Sequence, residues 1–344
     1  MNVRLPNRRA PEAAGSELAG AQGRHPDPLD PTAAPADRST WTALRAEAFD
    51  SPEMGEFRRA LLVPGRPDVR SSVIDDLSTY YGFEPEDCVR RCVEWERWSV
   101  EEWKATHREG ADDSTEFYRS TRSWSFDLLW YAYLQTEGFA YPESIVTARF
   151  LRSRRPGGRH LDFGSGTGVT GLLFDALGYE TELADIASSM LEFARYRYDR
   201  RGRTARFIDL NEDELESDRY DVITALDVLA HVPDIDQAAQ TLHRALRPGG
   251  WLVANFDVRA RGEDETAWHL YQDDLPLRAA VQRAGFRPRA CLDGKFCYER
   301  VERSGAAKRL TGATDWLLLE SPLRPALRRT KRAARRLLRP SGRS

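Results

Sequence analysis

The segment HLDFGSGTGVTG, residues 160–171, holds the chain's densest set of chemically useful residues. An apolar run leaves through Asp162 into Gly164, Gly166 and Gly168, and a helical pattern starts at once. Glycines in such a turn allow positive φ and let a ligand approach the main chain with no Cβ in the way. The oriented N–H groups at the start of the next helix suit a carboxylate or a phosphate. Two histidines could move a proton: His231, just past an apolar run, and His269, within ETAWHLYQDDLP. The four cysteines (Cys88, Cys92, Cys291 and Cys297) form no CxxC pair. Neither a disulfide framework nor a zinc ribbon is expected from them, and no metal site is assigned.

These residues need a frame. After RRPGG (154–158), short apolar runs alternate with helical stretches. Strands are expected at 159–163, 180–184, 205–208, 220–225 and 250–256, with helices near 168–178, 187–200 and 234–246. Such alternation implies a mostly parallel sheet covered on both faces, an α/β fold. Residues 286–301 read as a hairpin around Asp293-Gly294, and a strand near 316–320 would complete the sheet. From Trp41 to about 155 the pattern is helical and holds six of the nine tryptophans. Its Tyr80, Tyr81, Tyr118, Trp124, Trp130 and Tyr131 could stack on a flat acceptor or form the core of a helical cap. Residues 1–38, rich in Pro, Ala, Gly and Arg, are expected to be disordered. The layout is therefore a disordered 1–38, a cap over 39–155, a sheet domain over 156–320 and a tail over 321–344.

The glycine loop admits two registers. Gly166, Gly168 and Gly171 match GxGxxG, the dinucleotide fingerprint, with Asp185 about 20 residues on. Gly164, however, already occupies the place directly after the strand. Starting there gives GxGxG, with Val169 where a third dinucleotide glycine would stand. The GxGxG register preceded by Leu-Asp resembles the first motif of the class I S-adenosylmethionine-dependent methyltransferases. The resemblance continues in order for about 160 residues. The acidic position after the second strand matches Asp185 in ELADIASSMLEFAR, and that after the third matches Asp209 in RFIDL. The fourth-strand motif matches YDVITALDVLAHVPD (220–234), and the run into the fifth strand matches LHRALRPGGWLV (242–253). These last two segments look most like small-molecule methyltransferases related to the ubiquinone-biosynthesis enzymes.

The resemblance implies a Rossmann-like, mostly parallel seven-stranded sheet under an N-terminal helical cap, and S-adenosylmethionine as cofactor. It assigns Gly164, Ser165, Gly166 and Gly168 to the cofactor loop, Asp185 and Ile186 to the ribose side, and Asp209 and Leu210 to the adenine. Asp162, Leu226 and Asp227 fall near the methionine amino group; Asp162 could equally orient the loop, and Asp227 could cap a helix. Methyl transfer from a sulfonium is an in-line displacement that releases a neutral thioether, so positioning carries much of the catalysis. A base is needed only where the acceptor must lose a proton. His231 and His269 are the candidates, although His231 could simply pack the turn before Pro233. Trp268, His269 and Tyr271 could line an acceptor pocket or anchor a loop.

Net charge is −3, unevenly spread. The segment 321–344 holds nine Lys and Arg and no acid, which leaves the first 320 residues at −12. A nucleic-acid methyltransferase would want a basic face beside its pocket, and LDVL stands where NPPY-like tetrapeptides occur in families that methylate adenine or glutamine. A small-molecule acceptor, methylated at O, N or C, is therefore expected rather than nucleic acid, with secondary metabolism as one setting. The alternatives are a protein, peptide or nucleic-acid substrate recruited through the tail, or a methyltransferase-like non-methylating enzyme or partner subunit. The tail could form a basic amphipathic helix for an anionic membrane or an acidic partner. No run approaches a membrane span and the N-terminus lacks an apolar signal core, so a cytoplasmic location is expected.

Overall fold

The computed structural model describes residues 24–105, 114–258 and 270–301. Eight helices among them precede the sheet: α1 (Ala43–Phe49), α2 (Pro52–Leu61), α3 (Val69–Tyr81), α4 (Pro85–Val93), α5 (Trp95–Ala105), α6 (Ser114–Ser120), α7 (Ser123–Glu137) and α8 (Glu143–Arg154). Their starts follow local chemistry. The Thr42, Ser51 and Asp68 side chains accept hydrogen bonds from the N–H groups of Arg45, Met54 and Ser71, satisfying donors that a first turn leaves unpaired. Gly82 and Gly138 end α3 and α7 in the left-handed conformation.

Strands and helices then alternate: β1 (Gly158–Phe163), α9 (Val169–Ala176), β2 (Tyr179–Asp185), α10 (Ser188–Arg200), β3 (Arg206–Asp209), β4 (Tyr220–Ala225), α11 (Ile235–Ala245), β5 (Leu246–Ala254), α12 (Asp274–Ala284), β6 (Phe286–Leu292) and β7 (Lys295–Arg300). The order across the seven-stranded sheet is β3-β2-β1-β4-β5-β7-β6. All pairings are parallel except those of β7 with β5 and β6. The expected hairpin is present, and its two central residues, Asp293 (φ 46°) and Gly294 (φ 90°), both carry the positive φ that a type I′ turn needs. The strand expected near 316–320 lies outside the described residues, and seven strands are in place without it.

The cap shares its core with the sheet. Phe57, Trp130 and Leu151 from α2, α7 and α8 belong to one buried cluster with Phe174, Phe193, Val222 and Val253. The opposite face is covered by α11 and α12, whose Leu242 and Val281 pack with Leu161, Ile223 and Leu252. Tyr80, Tyr81 and Trp130 serve this packing: Tyr80 and Tyr81 pack on Phe193, and Tyr81 also on Phe126. Cys88 and Cys92 are buried as well, and burial pushes both thiols up, that of Cys88 to about 11.

One expectation needs correction. Residues 24–38 fall in the segment read as disordered, yet residues 24–27 lie against the cap. His25 is buried between Trp95 and Tyr131 and meets Asp127 at 2.6 Å, while the Trp130 indole donates to the Pro26 carbonyl at 2.9 Å. Composition counts only what a segment can bury by itself; here the cap supplies the apolar surface and the partners.

Candidate functional site

The strand order reverses at β1, with β2 on one side and β4 on the other. In open α/β sheets the crevice for a ligand lies outside the carboxyl ends of the strands at such a point. The glycine loop leaves β1 there. Gly164 N–H donates to the Ala184 carbonyl at 2.8 Å, tying the loop to β2. Gly166 sits at φ 50°, and a Cβ there would stand 2.8 Å from Leu128 Cδ1 of the cap helix α7. A Cβ at Gly164 would collide with Val228. Only glycine fits both the backbone and the space.

Asp162 is buried, and its carboxylate accepts from Gly171 N–H at 3.0 Å and from the Thr224 hydroxyl at 2.8 Å. Burial pushes its carboxyl up to about 7, against the pull of those two bonds. Because the Thr224 proton goes to Asp162, the His160 ring nitrogen 2.9 Å from Thr224 must donate. His160 is stacked on Phe174 and held neutral, burial lowering it to about 3. Asp162 therefore spends these bonds on fastening β1, β4 and α9 around the loop.

Asp185 and Asp209 are register partners at the ends of β2 and β3. Asp185 accepts from Gly166 N–H at 2.7 Å and Ala187 N–H at 2.9 Å, and burial raises its carboxyl. Asp209 takes the Ser188 hydroxyl at 2.6 Å and Asn211 N–H at 2.9 Å. Burial opposes its ionisation, but those bonds and the Arg119 charge hold it below the usual carboxylate range. A carboxylate offers about four lone-pair sites, so both keep acceptor capacity. Leu210 N–H closes the gap between the strands by donating to the Asp185 carbonyl at 2.9 Å. Ile186 packs against the cap residues Trp103, Phe117 and Tyr118. Ser165 Oγ is buried without a hydrogen-bond partner among the described residues. A polar atom left open beside two acidic strand ends and two apolar flanks fits a nucleoside with a polar tail.

The rim past β4 gathers the remaining groups. Asp227, at φ 53°, pairs reciprocally with Asn255: its N–H donates to Asn255 Oδ1 at 2.7 Å, and Asn255 Nδ2 donates back. Water reaches the Asp227 side chain, yet Glu143, Lys295 and Asp257 crowd it. The protein atoms packed around it, and then the Glu143 charge, raise its carboxyl above the usual carboxylate range. Leu226 beside it packs into the cap-side core. His231 is half-buried in a 3-10 turn, with Nδ1 3.2 Å from Tyr118 Oη and its ring 6.1 Å from that of Trp124. Trp268 and His269 lie outside the described residues. Tyr271 anchors its loop, donating to the carbonyls of Val232 and Pro233 at 3.0 Å each.

Residues 135–288 match the family model described as a methyltransferase domain. Over that span the chain carries a methyltransferase domain. The chain is 34% identical over 129 residues to the ubiquinone/menaquinone biosynthesis C-methyltransferase of Vibrio vulnificus, covering 34% of this chain and 50% of that protein. It is 33% identical over 157 residues to the ribosomal protein L11 methyltransferase of Ralstonia nicotianae, covering 45% of this chain and 49% of that protein. Among solved structures it is similar to a phosphoethanolamine N-methyltransferase of Haemonchus contortus in complex with S-adenosyl-L-methionine. That likeness has 18% identity and a TM-score of 0.43, over 52% of this chain and 46% of that one. The chain thus spans about half the length of the curated relatives it matches first.

Three residues of this site went unread in the sequence. His160 and Thr224 sit at strand positions whose polar character gave no sign of a relay to Asp162. Arg119, in α6, donates to Asn211 at 2.9 Å and so brings the cap to the β3 loop. An isolated arginine on a short helix carries no spacing signal that could have found it.

Proposed function

We propose that the chain methylates a small-molecule acceptor held between the helical cap and the carboxyl ends of β1, β4 and β5. The supporting observation is the Tyr118–His231 pair. A cap side chain is hydrogen-bonded across the rim to the histidine beyond β4, with Trp124 beside it. Leu128 of α7 meanwhile stands over Gly166. A rim roofed in this way favours an acceptor small enough to enter beneath the cap.

Asp185 and Asp209 would hold the ribose and adenine ends of S-adenosylmethionine, with Ile186 and Leu210 as apolar flanks and Ser165 as a free polar contact. When bound, that cofactor supplies an electrophilic methyl on a sulfonium. The residues of the chain position the acceptor and exclude water. His231, whose Nδ1 lies 3.2 Å from Tyr118 Oη, is the candidate to take a proton from a hydroxyl or acidic carbon. The four cysteines are free thiols, in keeping with a reducing cytoplasm, and no helix among the described residues is long and apolar enough to cross a membrane.

Incubating the full chain with methyl-labelled S-adenosylmethionine and fractionated cell extract tests the reading. Label is expected in small metabolites. Label confined to protein or nucleic acid would overturn the small acceptor, and a chain that binds the cofactor but labels nothing would overturn methyl transfer.

A further inference from the structure

A buried ionic network joins the cap to the glycine loop. Asp76 of α3 and Arg197 of α10 are both 0% exposed, and Arg197 Nε donates to Asp76 Oδ2 at 3.1 Å. Arg200 and Arg201 reach the same carboxylate at 2.9 Å each. Positions 197, 200 and 201 fall on one helix face, so three guanidinium groups converge on a single aspartate. Arg201 also donates to the Ala60 and Leu61 carbonyls at 3.0 and 2.6 Å, which ties in the end of α2. Asp75, next to Asp76, takes Arg200 and Arg66.

The charge count leaves a surplus cation inside. Asp76 faces both Arg197 and Arg201 in the deepest part of the network. Arg197 answers with its second bond: Nη1 donates at 2.5 Å to the carbonyl of Thr167. Thr167 stands between Gly166 and Gly168, both at positive φ. Burial, and then the like charge of Arg201, lowers the Arg197 guanidinium to about 10, so it stays charged at neutral pH. Buried ion pairs give back little net stability, because desolvation offsets most of their attraction. What this pair supplies is geometric. Glycines carry the largest backbone freedom to be lost on ordering, and a buried cation pinning the carbonyl between two of them removes part of that cost before a ligand arrives.

We propose that Asp76 is a positioning residue for the cofactor loop, acting from the cap through Arg197, so that cap docking and cofactor affinity are coupled. The inference rests on the cofactor reading of the glycine loop given above. Coupling is reciprocal by linkage. In the full wild-type chain, saturating S-adenosylhomocysteine should therefore slow hydrogen exchange at the amides of 164–171 and also within α3. Protection confined to the loop, with α3 unchanged, overturns the inference.

Arg197→Met separates positioning from stability. It removes the surplus cation while Asp76 keeps Arg200 and Arg201, so the melting temperature should hold. The Kd measured by calorimetry with S-adenosylhomocysteine should rise about tenfold. Adding Asp76→Asn in that background should raise it by no more than about twofold, since Asp76 acts through Arg197. A wild-type Kd in Arg197→Met overturns the inference, as does a second large loss in the double variant. A wild-type chain with neither heat of binding nor loop protection refutes the cofactor reading itself.

Discussion

Asp185→Asn perturbs the site where the cofactor reading is most exposed. Asp185 accepts one N–H from the glycine loop, Gly166 at 2.7 Å, and one from the start of the segment after β2, Ala187 at 2.9 Å. Asparagine keeps one carbonyl oxygen and turns an NH2 toward the other donor. One buried N–H then loses its acceptor, at a cost of about 1–3 kcal/mol. Both donors border the proposed ribose site, and a ribose diol would also lose one of the two oxygens it needs. A loss of about 1.4–2.8 kcal/mol in binding corresponds to a ten- to hundredfold weaker Kd, roughly. Titration calorimetry with S-adenosylmethionine reads the affinity directly. A parallel melt should show a drop of only a few degrees, on the order of 2–4 °C per kcal/mol for a domain of this size. If wild type binds and Asp185→Asn binds equally tightly, the ribose does not lie between Asp185 and the loop.

Four further outcomes are expected. Gly166→Ala should destabilise the fold by about 1–3 kcal/mol through its positive φ; adding Leu128→Ala should recover only the part due to the 2.8 Å approach, as thermal melts of single and double variants would show. Asp162 titrates near 7 in the fold against an ordinary value of 3.8. A raised carboxyl contributes stability that is full below the unfolded value and lost as pH rises through the folded one. Melting temperature should therefore fall as pH climbs from about 4 to about 7, and Asp162→Asn should flatten that slope; an unchanged slope would count against the burial argument. Tyr118→Phe should cut turnover on the labelled acceptor by about tenfold or more, shift its pH profile and leave cofactor Kd alone, whereas an unaltered profile would remove the pair from the chemistry. Deleting 321–344 should leave cofactor affinity and small-molecule turnover unchanged in the same assays; loss of turnover would place the tail in the active site.

Much of the frame was legible because its signals are local. The alternation of short apolar runs with 3.6-residue patterns marked five strands and three helices. Asp293-Gly294 announced a two-residue hairpin because few residue pairs tolerate two positive φ values in succession. GxGxG followed by acids after the next two strands placed Asp185 and Asp209 at neighbouring strand ends, where the structure has them in register. The cap was harder to divide. Its aromatic residues share one spacing, yet Tyr80, Tyr81 and Trp130 pack inward while Tyr118 and Trp124 reach His231. Helical period says which residues share a face and not what that face meets. The same limit hid the order of residues 24–27, whose partners Asp127 and Trp130 lie about 100 positions away.

By itself, then, the sequence determined the α/β class, the glycine loop, the acidic strand ends and the uneven charge of −12 against a tail of nine cations. Each depends on backbone preferences or periodicity within a few turns of chain. Only the tertiary structure decided that Asp162 fastens β1 to β4, that Tyr118 meets His231, and that Asp76 reaches Thr167 through Arg197. Those contacts join residues 30 to 121 positions apart. They exist because burial compels polar groups to find partners wherever the fold brings them, and no local pattern records that requirement.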